Sequence, residues 1–242
     1  MQRIIILNPK GGSGKTTVAT NLAARYANSG QRPALMDLDP QGSSTRWLKK
    51  RKQEYAAIHG IAAFERSAAV TRSWQLRIPP NCGKVVVDTP AALDAQRIPE
   101  VTRGADAILV PVMPSEIDIH AAAKCIADLL LVGKIRRSEG RLGIIANRVR
   151  SNTLIFQSLM RFLKSLEIPL VATFRDTQNY IRAAQSGIGI DEMPKWQAGR
   201  DIEDWDALMT WLDNREPQTR AAHSNPDMPA TIARIGTSES LA

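Results

Sequence analysis

Asn8-Pro9-Lys10-Gly11-Gly12-Ser13-Gly14-Lys15-Thr16-Thr17 is the stretch that decides how the chain folds. An apolar run, Arg3–Leu7 (RIIIL), precedes it, and a helical pattern, Thr16–Ser29, follows. A tight strand-to-helix loop turns consecutive backbone N–H groups toward one point at the positive end of a helix, which suits an anion. Gly11, Gly12 and Gly14 permit the close approach and the unusual dihedrals. Lys15 is placed to reach β- and γ-phosphates, and the Thr16 hydroxyl to hold Mg²⁺. Ser13 and Thr17 complete the expected nucleotide cradle.

Outward from the loop, short apolar runs alternate with helical patterns. Arg3–Leu7, Pro33–Met36, Lys84–Val87, Ala107–Val112, Leu142–Ala146 and Pro169–Phe174 read as strands. Their apolar character is continuous, the pattern of a parallel sheet covered on both faces. Thr16–Ser29, Ser43–Tyr55, Asp94–Thr102, Ile117–Val132 and Thr153–Leu166 are each long enough for a crossover helix. One more strand and helix are expected between Ala56 and Asn81. Asp201–Leu212 reads as a closing amphipathic helix, with Ile202, Trp205, Leu208 and Leu212 on one stripe. The alternation predicts an α/β fold, a doubly wound and mostly parallel sheet flanked by helices. Residues 1–214 are expected to form a single domain. From about Arg215 to Ala242 the chain is rich in Pro, Ser, Thr and Ala, and a disordered tail is expected there.

Three further segments put polar residues at strand ends. They are Met36-Asp37-Leu38-Asp39-Pro40-Gln41-Gly42, Val85-Val86-Val87-Asp88-Thr89-Pro90-Ala91 and Asn147-Arg148-Val149. Ligands of open parallel sheets sit at the carboxyl ends of the strands, so these groups should face bound phosphates. The loop departs from the usual G-x-x-x-x-G-K-[ST]: Pro9 takes the first glycine position, and Lys10 sits five residues before Lys15.

This variant, K-G-G-x-G-K-T-T, resembles the deviant Walker A loop of the ParA/MinD family of partition and positioning ATPases, a branch of the P-loop NTPases. D-x-D-P-Q-G and the strand ending at Asp88 are similar to that family's other motifs, and the likeness covers roughly Met1 to Leu212. The resemblance implies ATP and Mg²⁺ as cofactors, water as the nucleophile and slow turnover. It implies that Lys10 is the signature lysine, which crosses a nucleotide-sandwich homodimer to the partner's phosphates. Lys10, Lys15 and Asp39 are then the catalytic set, with Asp39 orienting the attacking water. Thr16, Asp39 and Asp88 are the implied metal residues, with Asp37 in the outer shell. Asn147 is implied to read the adenine edge, since an amide offers both a donor and an acceptor. Phe174-Arg175-Asp176 is expected to border the base through its backbone.

The chain has 242 residues, and its net charge of +8 suggests a polyanionic partner. The charge is segregated. Lys134–Arg182 holds ten basic and three acidic residues, Arg46–Arg77 eight and two, and Ala183–Asn214 two and seven. Family members use arginines after the Asn147-like segment and near the following helix. Arg148, Arg150, Arg175 and Arg182 are therefore the expected DNA-binding residues, with Lys164 as an outsider. Two protomers would add their phosphate contacts to non-specific duplex DNA. An adaptor that stimulates hydrolysis is the other implied partner. The run Arg46–Lys52 reads as a solvated helical face.

Competing classes fit less well. A membrane-cycling positioning ATPase needs a C-terminal amphipathic helix, which Ala230–Ala242 lacks. A cluster-binding electron carrier needs paired cysteines after the Asp88 strand, whereas Cys82 precedes it and Cys125 falls mid-helix. A biosynthetic ATP-dependent ligase of related fold is opposed by the charge pattern. No repeats, secretory signal or run of ~18 apolar residues is present, so a cytoplasmic location is expected, and the resemblance implies a nucleoid-associated protein of the small single-domain type.

Overall fold

The computed structural model describes residues 1–65, 71 and 76–215. The expected tail beyond Arg215 lies outside the described residues, as do residues 66–70 and 72–75 of the 56–81 segment in which a further strand and helix were expected; the strand is present as His59–Ala62. The strands are β1 (Gln2–Ile6), β2 (Pro33–Asp37), β3 (His59–Ala62), β4 (Lys84–Asp88), β5 (Ala107–Val112), β6 (Leu142–Val149) and β7 (Leu170–Arg175). The helices are α1 (Lys15–Asn28), α2 (Ser43–Lys50), the single-turn α3 (Ile98–Val101), α4 (Glu116–Leu131), α5 (Leu154–Ser165), α6 (Asn179–Ser186), α7 (Lys195–Glu203) and α8 (Asp206–Asp213).

The strands form one sheet in the order β3-β2-β4-β1-β5-β6-β7, and every pairing is parallel. All carboxyl ends therefore lie along one edge, with Ile6, Asp37 and Asp88 in register across the centre. The continuous apolar runs have the expected cause. Ile4 and Ile6 pack into the cluster on one face of the sheet, and Ile5 into the cluster on the other. All three are fully buried, and each contributes ~1.5–3 kcal/mol by leaving water.

Three predicted helices differ from the expectation. Ser43–Tyr55 stops at Lys50, because Arg51 turns extended and its guanidinium takes the Ala56 carbonyl at 2.9 Å and the Glu192 carboxylate. Gly187, which ends α6, packs on this turn so closely that a Cβ would lie 2.6 Å from the Lys50 and Arg51 backbone. Asp94–Thr102 divides into a 3₁₀ turn, Ala95–Arg97, and α3. Asp201–Leu212 breaks into α7 and α8 at Trp205. There the indole stacks on Phe174 at 4.4 Å and donates to the Tyr180 hydroxyl at 3.1 Å. Ile202 is consequently only half-buried, while Trp205, Leu208 and Leu212 fill the core.

The run Arg46–Lys52 is likewise not simply a solvated face. The Arg51 and Glu192 side chains are 5% and 3% exposed, and the guanidinium lies over the rings of Trp47 and Tyr55. Glu192 also accepts from Gly189 N at 2.7 Å. Removing one partner strands the other charge in the interior. Glu192→Ala is expected to lower the unfolding free energy by about 3–5 kcal/mol. A urea titration checks this, and a loss below about 1 kcal/mol would show the pair to be solvated.

Candidate functional site

The loop between β1 and α1 is stapled at both ends. Asn8 is fully buried, donates through Nδ2 to the Pro111 carbonyl at 2.8 Å and accepts from Lys10 N at 2.9 Å. The Pro9 carbonyl accepts from Ala92 N at 2.7 Å, which ties the loop to the segment after β4. Gly12 and Gly14 hold φ of 80° and 94°, a left-handed region that disfavours residues with a Cβ. Gly14 caps α1, so the first turn of the helix opens directly from the loop.

Lys15 and Asp88 lie beneath the loop. Lys15 is 6% exposed and Asp88 fully buried. The Lys15 ammonium donates to the Lys10 carbonyl at 3.1 Å. Burial holds it below the usual lysine range, while Asp88 and Asp39 pull it back up. Burial pushes the Asp88 carboxyl up to about 7, against the pull of the Thr16 hydroxyl and Lys15. The charges of Asp37 and Asp39 push it further up. Both Asp88 oxygens are orphaned, without a well-formed hydrogen bond.

Buried oxygens left in this state suit a hard cation. No cluster of three or more potential ligating side chains occurs among the described residues. A small hard cation such as Mg²⁺ keeps several waters and shares substrate phosphates instead of filling a protein cage. Thr16, Asp88 and Asp39 are the residues that would hold it.

Asp37 is tied into the backbone that follows it. Its two oxygens accept from Asp39 N at 3.1 Å and Thr45 N at 2.9 Å, so it organises the following loop and caps α2. Asp39, half-buried, accepts from Gln41 N at 2.9 Å within the same turn. A cleft of about 460 Å³ opens between this loop and the 90–97 segment.

Lys10 lies beside the loop and reaches back within its own chain, 3.6 Å from the buried carboxylate of Asp118 on α4. Nothing in the sequence pattern pointed to Asp118. The Ser115 hydroxyl caps α4, accepting from Asp118 N, and binds the same carboxylate.

A second cleft, of about 510 Å³, runs from Gly12, Gly14 and Thr17 past Asn147 to Asp176, Gln178 and Tyr180. Its size suits a nucleoside. Asn147 spends both ends of its amide on the protein, donating to the Ser13 carbonyl at 2.9 Å and accepting from Arg148 N at 3.0 Å. Arg148, Arg150 and Arg175 line this same cleft. Arg148 and Arg150 share Asp176 at 3.2 and 2.8 Å. Hydrogen bonds from Arg150 and then Arg148 hold that carboxyl below its usual range.

Arg175, whose side chain is 38% exposed, is ion-paired through Nε to the fully buried Asp201. Asp201 also accepts from Asn179 Nδ2 at 2.7 Å. Arg182 on α6 and Lys164 on α5 are exposed.

A buried lysine under a glycine loop, an orphaned carboxylate and an adjoining cleft at the carboxyl edge of a parallel sheet define a P-loop nucleotide-binding protein. Residues 4–190 match the CobQ/CobB/MinD/ParA nucleotide binding domain, and the chain belongs to that family. It is 27% identical over 194 residues to "Maintenance of carboxysome distribution protein A" of Halothiobacillus neapolitanus, covering 78% of this chain and 87% of the relative. It is 32% identical over 151 residues to "Chromosome-partitioning ATPase Soj" of Thermus thermophilus, covering 60% and 61% of the two chains. The fold is similar to that of apo McdA of Cyanthece, with a TM-score of 0.66 and 17% identity over 86% of this chain and 99% of that one. Among the described residues no helix is long and apolar enough to cross a membrane.

The Asp88 carboxyl has a sign that can be tested. Its folded-state pKa of about 7 lies above the ordinary 3.8, so ionisation erodes stability as pH rises from about 4 through 7. Without nucleotide, Asp88→Asn is expected to match the parent near pH 4 and exceed it by roughly 2–4 kcal/mol at pH 8. Denaturant titrations at the two pH values measure this, and equal stabilities at pH 8 would place Asp88 in a solvated setting.

Proposed function

We propose that this chain is an ATP-driven dimerising switch. It hydrolyses ATP slowly, binds non-specific duplex DNA in its ATP state, and positions or segregates a cargo over the nucleoid. The cargo is a DNA locus or a protein complex, coupled through an adaptor that stimulates hydrolysis. The observation that carries this reading is the pair of lysines in one phosphate loop. Lys15 is buried under its own loop, while Lys10 lies at the side, 30% exposed and held only at 3.6 Å by Asp118. One lysine suffices for the chain's own phosphates, so the second is available to a partner's nucleotide.

The chemistry follows from the placement. Loop amides from Gly11 to Thr17 and the Lys15 ammonium bind the polyphosphate, and the 510 Å³ cleft takes the nucleoside. The Thr16 hydroxyl and Asp88 would hold Mg²⁺, which when bound would supply charge neutralisation at the phosphates. Asp39 orients a water and draws its proton as the oxygen attacks the γ-phosphorus. The bond to the β–γ bridging oxygen breaks, and ADP and phosphate leave. Lys10 of a second copy, freed from Asp118, meets the charge that develops on the transferred group.

The γ-phosphate also orders the Asp39 loop, the kind of segment that reports nucleotide state in such switches. Dimerisation brings together two sets of exposed arginines, Arg148, Arg150 and Arg182. Arg175, 38% exposed and paired with Asp201, lies beside Arg148 and Arg150 along the same cleft. The names of the carboxysome-distribution and chromosome-partitioning relatives support a positioning role.

Asp39→Ala should trap the ATP state. That protein is expected to bind duplex DNA with ATP–Mg²⁺ and not with ADP–Mg²⁺. Its affinity should fall steeply with salt, at a log–log slope of about −0.9 for each neutralised phosphate. In the same assay Arg150→Glu should abolish DNA binding while ATP-driven dimerisation, read by light scattering, survives. Lys10→Ala should stay monomeric with ATP. Absence of DNA binding in both nucleotide states would overturn the proposal and direct the search to lipid vesicles and small-molecule substrates.

A further inference from the structure

Resting on the nucleotide-site reading above, we infer that Asn147 is a positioning residue for the phosphate loop: it sets affinity for the polyphosphate and leaves the choice of base to other groups. Three observations meet at this side chain. Its Nδ2 donates to the Ser13 carbonyl at 2.9 Å. Gly14 is pressed against it so closely that a Cβ there would lie 2.0 Å from Nδ2. The backbone that carries it is strained in a way that aims it, as the next residue, Arg148, sits at φ 53°.

The hydrogen bond acts through peptide geometry. In a planar trans peptide the C=O and the following N–H point in opposite directions. Fixing the Ser13 carbonyl toward Asn147 therefore fixes the Gly14 N–H away from it. That N–H belongs to the row of donors that the loop presents to an anion. Without the clamp, the Ser13–Gly14 peptide can rotate, because Gly14 tolerates a wide range of φ.

The strain at Arg148 coincides with a slip in strand register. Ala146 pairs with Thr173, and the next pair is Val149 with Arg175, so β6 uses three steps where β7 uses two. A bulge of this kind re-aims a side chain, and the left-handed region is disfavoured for a non-glycine residue. Arg148 N donates to Asn147 Oδ1 at 3.0 Å, which orients the amide so that its NH₂ faces the loop. The side chain is 6% exposed, so little of it is open to a base in the cleft.

The experiment uses the full chain with Asn147→Ala, which removes the amide without adding charge. Competition against a fluorescent ATP analogue gives affinities for ATP, GTP and inorganic tripolyphosphate, each with Mg²⁺. The clamp predicts that all three weaken by a common factor, roughly 10–100-fold, with the ATP-to-GTP preference unchanged. A loss confined to ATP, with tripolyphosphate affinity intact, would make Asn147 a base reader and overturn the inference.

A second measurement needs no nucleotide. Hydrogen–deuterium exchange should accelerate in Asn147→Ala across the segment 9–17 and stay unchanged in the central strands of the sheet. Unchanged exchange there would refute the clamp even if the protein bound no nucleotide at all. Failure of the parent protein to bind either ATP or tripolyphosphate would instead refute the nucleotide reading.

Discussion

The burial of a lysine and a carboxylate under one glycine loop is the constraint on which the rest of the molecule depends. Neither charge is well solvated there, and the two favour each other's ionised form only in part. An interior that holds such a pair is stable only with careful support. The support is visible on every side. Asn8 fastens the loop to β5, Ala92 ties it to the segment after β4, Asn147 holds its far end and Asp37 shapes the neighbouring turn. The parallel sheet is what allows this, since it brings the ends of β1, β2 and β4 to one edge.

The charge pattern takes on a different meaning once the chain is folded. Acidic residues of the C-terminal third meet basic residues far away in sequence. Glu192 takes Arg51, Asp201 takes Arg175, and Asp206 takes Arg25. Part of the basic excess counted along the chain is therefore already paired within the fold. Arg148, Arg150 and Arg182 remain exposed, and the first two are moderated by Asp176. The candidate DNA surface thus adjoins the cleft that would hold the nucleoside. A change in nucleotide state would be felt there directly, without a long relay.

Much of the fold was legible because buried parallel strands leave continuous apolar runs, and all six predicted strands are present within one to three residues of their expected ends. Helix ends were less legible where a tertiary partner decided them. Arg51 leaves α2 for a carboxylate 141 positions away, and Trp205 breaks a helical stripe to reach Phe174 and Tyr180. Neither partner is encoded in the local periodicity. The α6 segment, eight residues long and rich in polar side chains, carried too short a pattern to be read as a helix.

The site divides in the same way. The sequence by itself determined the phosphate loop, the two lysines and the carboxylate at the end of β4, because glycine spacing and a strand-then-helix context are local properties. Only the tertiary structure decided what the remaining polar groups do. Asp37 became a cap, Asn147 turned onto the loop, Arg175 was claimed by Asp201 and Lys10 was held by an unforeseen Asp118. The reason is physical: a buried polar group must find a partner wherever the fold supplies one, and that partner is set by distance in space, which spacing along the chain does not record.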